Sequence, residues 1–108
     1  MSKNNTLIVF LLSFTLALSA SADYRDGQDA YSDGNYQDAV LEWTSIAEDG
    51  DPRAQYNLGW MNANGKGIPQ DLQAAVNWYT SAAEQGYIHA QYNLANLYLR
   101  GQGVTQND

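Results

Sequence analysis

The chain's single histidine, His89, lies between Ile88 and Ala90. A catalytic base needs a nucleophile and an orienting partner within hydrogen-bond reach. No neighbour at fixed spacing supplies either, so His89 reads as a polar residue at the start of a helix. Asp23, Asp26, Asp29 and Asp33 fall at i, i+3, i+6 and i+10, which puts them on one helical face. Such a face is suited to calcium or to a basic partner. The calcium loop, however, needs alternating oxygen ligands, a glycine and a closing Glu, and Asp26-Gly27 and Asp33-Gly34 do not provide that order. The plainer expectation is a solvated acidic surface that also favours the start of its helix. Glu48, Asp49 and Asp51 cluster around Gly50. Paired carboxylates do acid/base work when burial separates their pKa values, and these sit at a helix end and turn. Gly65-Lys66-Gly67 and Gly101-Gln102-Gly103 look like phosphate-cradling loops, but each follows a helix and lacks the Gly-Lys-Ser/Thr ending.

Composition narrows the chemistry further. The absence of cysteine excludes disulfides, thiolate zinc sites, a cysteine nucleophile and an N-terminal lipid-modified Cys. The charge of −7, from 5 basic and 12 acidic residues, argues against nucleic acid and against a basic membrane-surface helix. No cofactor or metal is expected. The 108 residues amount to about one domain.

That domain is not evenly built. Met1–Thr6 is polar and carries Lys3, Leu7–Leu18 is uncharged and apolar, and Ala20-Ser21-Ala22 has the small-x-small form of a cleavage site. This is the order of a secretory signal peptide, and a spanning helix would need about 20 apolar residues. Residues 1–22 are therefore expected to direct export, to the periplasm or beyond, with cleavage before Asp23 and no stable membrane insertion afterwards. Lys3 leaves with that segment and all 12 acids stay, which takes the charge from −7 to −8.

The remainder repeats. A shift of 36 residues aligns Gln37–Leu72 with Gln73–Asp108 and leaves 16 positions identical, among them Ala54/Ala90, Gln55/Gln91, Asn57/Asn93 and Leu58/Leu94. Chance would give about two or three, so the period is the strongest signal in the chain. Each period reads as two helices. The first runs from about Pro52 to Asn64, capped by Asp51, with Ala54, Leu58 and Met61 on one face. The Gly65–Gln70 loop ends it. Asp71 then caps a second helix from about Leu72 to Gln85, with Ala75, Trp78, Tyr79, Ala82 and Ala83 as its apolar face. A further first-type helix runs from about Ile88 to Arg100, with Ala90, Leu94, Leu97 and Tyr98 inward. Upstream, Tyr24–Asp33, interrupted by Gly27, and Tyr36–Asp49 form a divergent pair with a shorter connecting loop.

Ala54-x-x-x-Leu58-Gly59, Gly65-x-Gly67-Ile68-x-x-Asp71 and Ala75-x-x-Trp78-Tyr79-x-x-Ala82-Ala83-x-x-Gly86 together resemble the Sel-like repeat, a tetratricopeptide relative. The second copy supplies Ala90, Leu94, Tyr98 and Gly101-x-Gly103-Val104. Asn62, Ala95 and Glu42-Trp43 depart from the family's usual Tyr, Gly and Trp-Tyr. The resemblance implies an all-α solenoid of antiparallel helix pairs that serves as a protein–protein scaffold without catalysis. The expected units are residues 1–22 for export, 23–50 as the divergent pair, 51–86 as a full repeat and 87–108 as a partial repeat whose second helix is missing.

First-type helices line the inner face of such a solenoid. On them, the positions pointing away from the core are expected to be Gln55, Asn57, Trp60, Gln91, Asn93 and Asn96. These amides could hydrogen-bond an extended peptide with Trp60 as its anchor, could instead satisfy neighbouring loops, or could face solvent. Two other functions stay open: a cell-envelope hydrolase, for which the sequence offers no constellation, and a terminal cap of a longer solenoid.

Overall fold

A computed structural model describes residues 23–101. The export segment expected over residues 1–22 and the stretch 102–108 lie outside the described residues. Five helices follow one another within them: α1 (Tyr24–Ser32), α2 (Tyr36–Glu48), α3 (Pro52–Asn64), α4 (Leu72–Glu84) and α5 (Ile88–Leu99). Each packs against its neighbour in the chain, which makes an all-α solenoid of antiparallel pairs.

The helix starts follow the capping logic. The side chains of Asp23, Asp51 and Asp71 accept hydrogen bonds from the backbone N–H groups of Arg25, Arg53 and Ala74. Each satisfies a donor that the helix leaves without an internal partner. Pro52 takes the first position of α3, where its missing N–H costs nothing. The loop after α3 folds back onto the start of α2. Gly67 has φ +74, and a Cβ there would meet the Tyr36 carbonyl at 2.6 Å, so both the conformation and the contact demand glycine.

The core forms two clusters. One gathers Ala39, Trp43, Ile46 and Ala47 of α2 with Ala54, Leu58 and Met61 of α3. The other gathers Ala75, Val76, Tyr79 and Ala82 of α4 with Ala90 and Leu97 of α5. Alanine at Ala39, Ala54, Ala75 and Ala90, all fully buried, lets the helix backbones approach closely. Two expectations about these helices need correction. Tyr98 is about half exposed and does not join the second cluster. Nor is α1 interrupted at Gly27, since the helix runs through it without a break. The glycine is there because a Cβ at that point would fall inside the Trp43 indole. Gly59 repeats the device one pair later, against the Tyr79 ring.

Candidate functional site

The two glycines set the register between pairs. Trp43 and Tyr79 are 36 residues apart, but Gly27 and Gly59 are 32 apart, because the α1–α2 loop is four residues shorter than the α3–α4 loop. The same offset pairs Tyr24 with Tyr56, which the 36-residue comparison does not. Asn57 donates its amide to the Tyr24 hydroxyl at 2.8 Å. One repeat later Asn93 donates to the Tyr79 hydroxyl at 3.3 Å, with a longer contact of 3.5 Å to Tyr56. Arg53 lies 4.2 Å from the centre of the Tyr24 ring, and its counterpart His89 lies 5.9 Å from Tyr56. Helices α3 and α5 thus each grip a tyrosine of the first-type helix before them, Tyr24 of α1 and Tyr56 of α3.

A second row of amides ties first-type helices to the preceding second-type helix. Gln55 donates to the Ala47 carbonyl and Gln91 to the Ala83 carbonyl, both at 3.1 Å. Gln55 also accepts from Gln85, which in turn donates to the Gly50 carbonyl. Gln55 is only 6% exposed. Its expected place on the open inner face is therefore corrected: it stands one residue after Ala54, in the first turn of α3, where the end of α2 packs over it. Its amide goes to the last turn of α2 and not to a loop. Gln91 makes the equivalent bond but stays exposed, and Asn57, Asn93 and Asn96 are partly buried. Within the amide row only the Asn96 side chain is without a hydrogen bond among the described residues.

Trp60 stands in a different setting. A groove of about 370 Å³ opens between α1 and α3, lined by Tyr24, Gln28, Tyr31 and Ser32 from α1, Trp43 from α2, and Tyr56, Asn57, Trp60 and Met61 from α3. Its rings hold one another. Tyr24 stacks on Trp43 with centroids 5.8 Å apart, and Tyr31 meets Trp60 edge to face at 6.2 Å. The Trp43 indole N–H donates to the Tyr24 carbonyl, which anchors the floor. The lining contains no charged side chain. Of the six expected site residues the groove brings together Asn57 and Trp60. It also contains Tyr24, Tyr31 and Gln28, which the sequence comparison missed. They sit in the divergent pair, and the four-residue offset hides their equivalence to Tyr56, Ala63 and Trp60.

The electrostatics are local. Arg53 pairs with Asp51 at 2.7 Å, and that hydrogen bond holds the Asp51 carboxyl below its ordinary value. Burial pushes the Tyr79 hydroxyl up to about 12, with the bond from Asn93 partly opposing the shift. Neither group adjoins a nucleophile. His89, Glu48 and Glu84 are exposed and lie on different turns. Among the described residues no three His, Cys, Asp or Glu side chains come together to hold a metal, and no helix is long and apolar enough to cross a membrane.

Comparison with known proteins supports the repeat. The Sel1 repeat family model matches residues 52–87 and 88–108. A Sel1 repeat protein from Oxalobacter formigenes superposes with a TM-score of 0.72 at 30% identity, covering 81% of this chain and 35% of its own. A protective antigen of uropathogenic Escherichia coli strains that displays an SLR fold gives a TM-score of 0.76 at 32% identity, covering 84% of this chain and 21% of its own. This chain therefore spans about a third and a fifth of the length of these two proteins. No curated protein matches it.

Proposed function

We propose that this chain, which belongs to the Sel1 repeat family, is an exported, non-catalytic scaffold that holds a segment of another protein in the groove between α1 and α3. Sel1 repeat proteins generally serve as interaction scaffolds, and their fold is typically non-catalytic. The observation that carries the reading is the contrast between spent and available groups. Gln55, Asn57, Gln91 and Asn93 are occupied in joining one repeat to the next, whereas Tyr31 and Trp60 line an open groove and are only partly buried. Aromatic side chains in a pre-formed depression are the usual anchors of an interface, because they bury large area at little entropic cost.

A photo-crosslinking residue in place of Gln28, on the groove's rim, tests the scaffold in the producing cell. The expected result is an adduct with another polypeptide that disappears when Trp60 is replaced by Ala. Capture from a crosslinker at Leu41, which is 70% exposed on α2, with none from position 28, would move the interface elsewhere. Export is supported by the charge, apolar run and cleavage motif of residues 1–22. The mature product is expected to begin at Asp23. Retention of the uncut chain inside the cell would overturn that part.

A further inference from the structure

Helix α5 turns Ala90, Leu94 and Leu97 to the core. On its opposite side Ile88, Tyr92, Ala95 and Leu99 follow at i, i+4, i+7 and i+11, a single helical stripe. Ile88 is 71% exposed, Tyr92 70% and Leu99 77%, with Ala95 exposed between them. Their counterparts one repeat earlier are Pro52, Tyr56, Gly59 and Ala63. That earlier stripe is covered: Tyr56 packs on Tyr79 and Tyr87, and a Cβ at Gly59 would meet the Tyr79 ring. The α5 stripe thus continues an interface that the chain already makes, with Ile88 and Leu99 in place of Pro52 and Ala63.

Two features select a second copy of this chain as its cover. The first is the order of large and small residues. In both antiparallel pairs within the chain a ring of one helix sits on a glycine of the other, Trp43 on Gly27 and Tyr79 on Gly59. Helix α5 carries both halves of such a contact, an exposed ring at Tyr92 and the small Ala95. The intervals along the stripe are four, three and four residues, the same from either end. Two α5 helices crossing antiparallel, about a two-fold axis midway between Tyr92 and Ala95, therefore set each Tyr92 on Ala95 of the other copy and each Ile88 on Leu99. No loop joins the two helices, so the ring can settle over a methyl group.

The second feature is charge. Without residues 1–22 the chain carries −8, and two copies repel one another over most of their surfaces. Residues 85–107 contain no Asp or Glu, so copies meeting through α5 face the least repulsion. Head-to-tail stacking would instead set the stripe against α1, where Asp26, Asp29 and Asp33 are exposed.

We infer that this chain forms a two-fold dimer by antiparallel packing of α5 on α5 of a second copy, with Tyr92 seated on Ala95 across the interface. None of the four stripe residues lines the α1–α3 groove, so the pairing stands apart from the scaffold reading. One pair of 12-residue helices is small beside the ~1,200–2,000 Å² of a standard interface, so monomer and dimer are expected to exchange.

Sedimentation equilibrium of the protein purified as the cell produces it, over roughly a hundredfold range of concentration, is expected to show monomer giving way to dimer and nothing larger. Raised salt screens the like charges and is expected to favour the dimer. Tyr92→Ala is expected to weaken pairing at least tenfold. Ala95→Leu separates shape from apolarity: it adds apolar surface but fills the space under the ring, and it too is expected to weaken pairing at least tenfold. The chain has no cysteine, so disulfide trapping reads the register. Ile88→Cys and Leu99→Cys are expected to form a mixed disulfide when combined, and neither to link to itself, because like residues stand about 16 Å apart along the helix axis. Circular dichroism of the four variants is expected to match the parent chain, which separates lost pairing from lost folding. Monomer at every concentration, or tighter association of Ala95→Leu, would overturn the dimer. Disulfides between like residues would overturn the antiparallel register, and open-ended oligomers would overturn the two-fold symmetry. A photo-crosslinking residue at position 92 that captures a different polypeptide and never a second copy would assign the face to another partner and overturn the inference.

Discussion

The two junctions of the solenoid share a plan and differ in what they leave open. At the first, Tyr24 packs on Trp43, Gly27 admits the indole, and α3 reaches back through Arg53, Gln55 and Asn57. At the second, Tyr56 packs on Tyr79, Gly59 admits the ring, and α5 reaches back through His89, Gln91 and Asn93. The residues doing the joining correspond one for one. Those facing outward do not: Tyr31 becomes Ala63 and Trp60 becomes Asn96. The lesson is that the joining set is constrained by geometry at every repeat, while the outward set is free to differ, and the aromatic groove arises where that freedom was used.

The largest effects should come from filling the space that each glycine keeps. Gly27→Ala and Gly59→Ala each place a methyl group in a ring, and overpacking of this kind costs about 1–3 kcal/mol. Gly27→Ala is expected to lie at the upper end. Moving the Trp43 indole also strains its bond to the Tyr24 carbonyl, whereas the hydrogen bond on the Tyr79 hydroxyl is the longer one from Asn93. Denaturant unfolding of the two variants makes the comparison, and equal, negligible losses would show that the junctions do not depend on close approach.

The junctions should also fail at opposite ends of the pH scale. Tyr79, 2% exposed, has its hydroxyl raised from 10.0 to about 12. The native state therefore keeps a proton that the unfolded chain gives up. Stability from this group is full below pH 10 and is lost as pH rises from 10 through about 12, by an amount on the order of 2–3 kcal/mol. Asp51 is held below 3.8, so its contribution is full above that pH and is lost as pH falls through the lowered value. Thermal unfolding across pH is expected to show the alkaline loss reduced in Tyr79→Phe and the acid loss reduced in Asp51→Asn. An unchanged alkaline limb in Tyr79→Phe would break the assignment.

The smallest effects belong to the outer contacts. Arg53→Ala removes an exposed ion pair and a cation–ring contact, each worth under about 1 kcal/mol at the surface. His89→Ala is expected to cost less, because among the described residues His89 makes ring contacts with Tyr56 and Tyr87 and no ion pair. The difference between the two should narrow in high salt, which screens the ion pair alone.

Much of this organisation was legible before any coordinates. The 36-residue period, the caps Asp51 and Asp71, the buried face of Ala54, Leu58 and Met61, and the membership implied by the Gly65-x-Gly67 and Trp78-Tyr79 motifs are all local or periodic features. A helix translates spacing directly into a face, so such features need no knowledge of the neighbours. The same holds for the acidic surface of α1, whose spacing alone places Asp26, Asp29 and Asp33 together.

What the tertiary structure decided is where the flanks of those faces point. Gln55 and Trp60 are both polar-capable residues beside the core stripe of α3, and spacing treats them alike. The packing of α2 over the first turn of α3 buries Gln55 against the Ala47 carbonyl, and the shorter α1–α2 loop slides Tyr24 and Tyr31 beside Trp60. Periodicity fixes which residues share a side of one helix. The angle and register at which the next helix arrives are set by contacts distant in the chain, and they decide which of those residues are consumed in joining repeats and which remain to meet a partner.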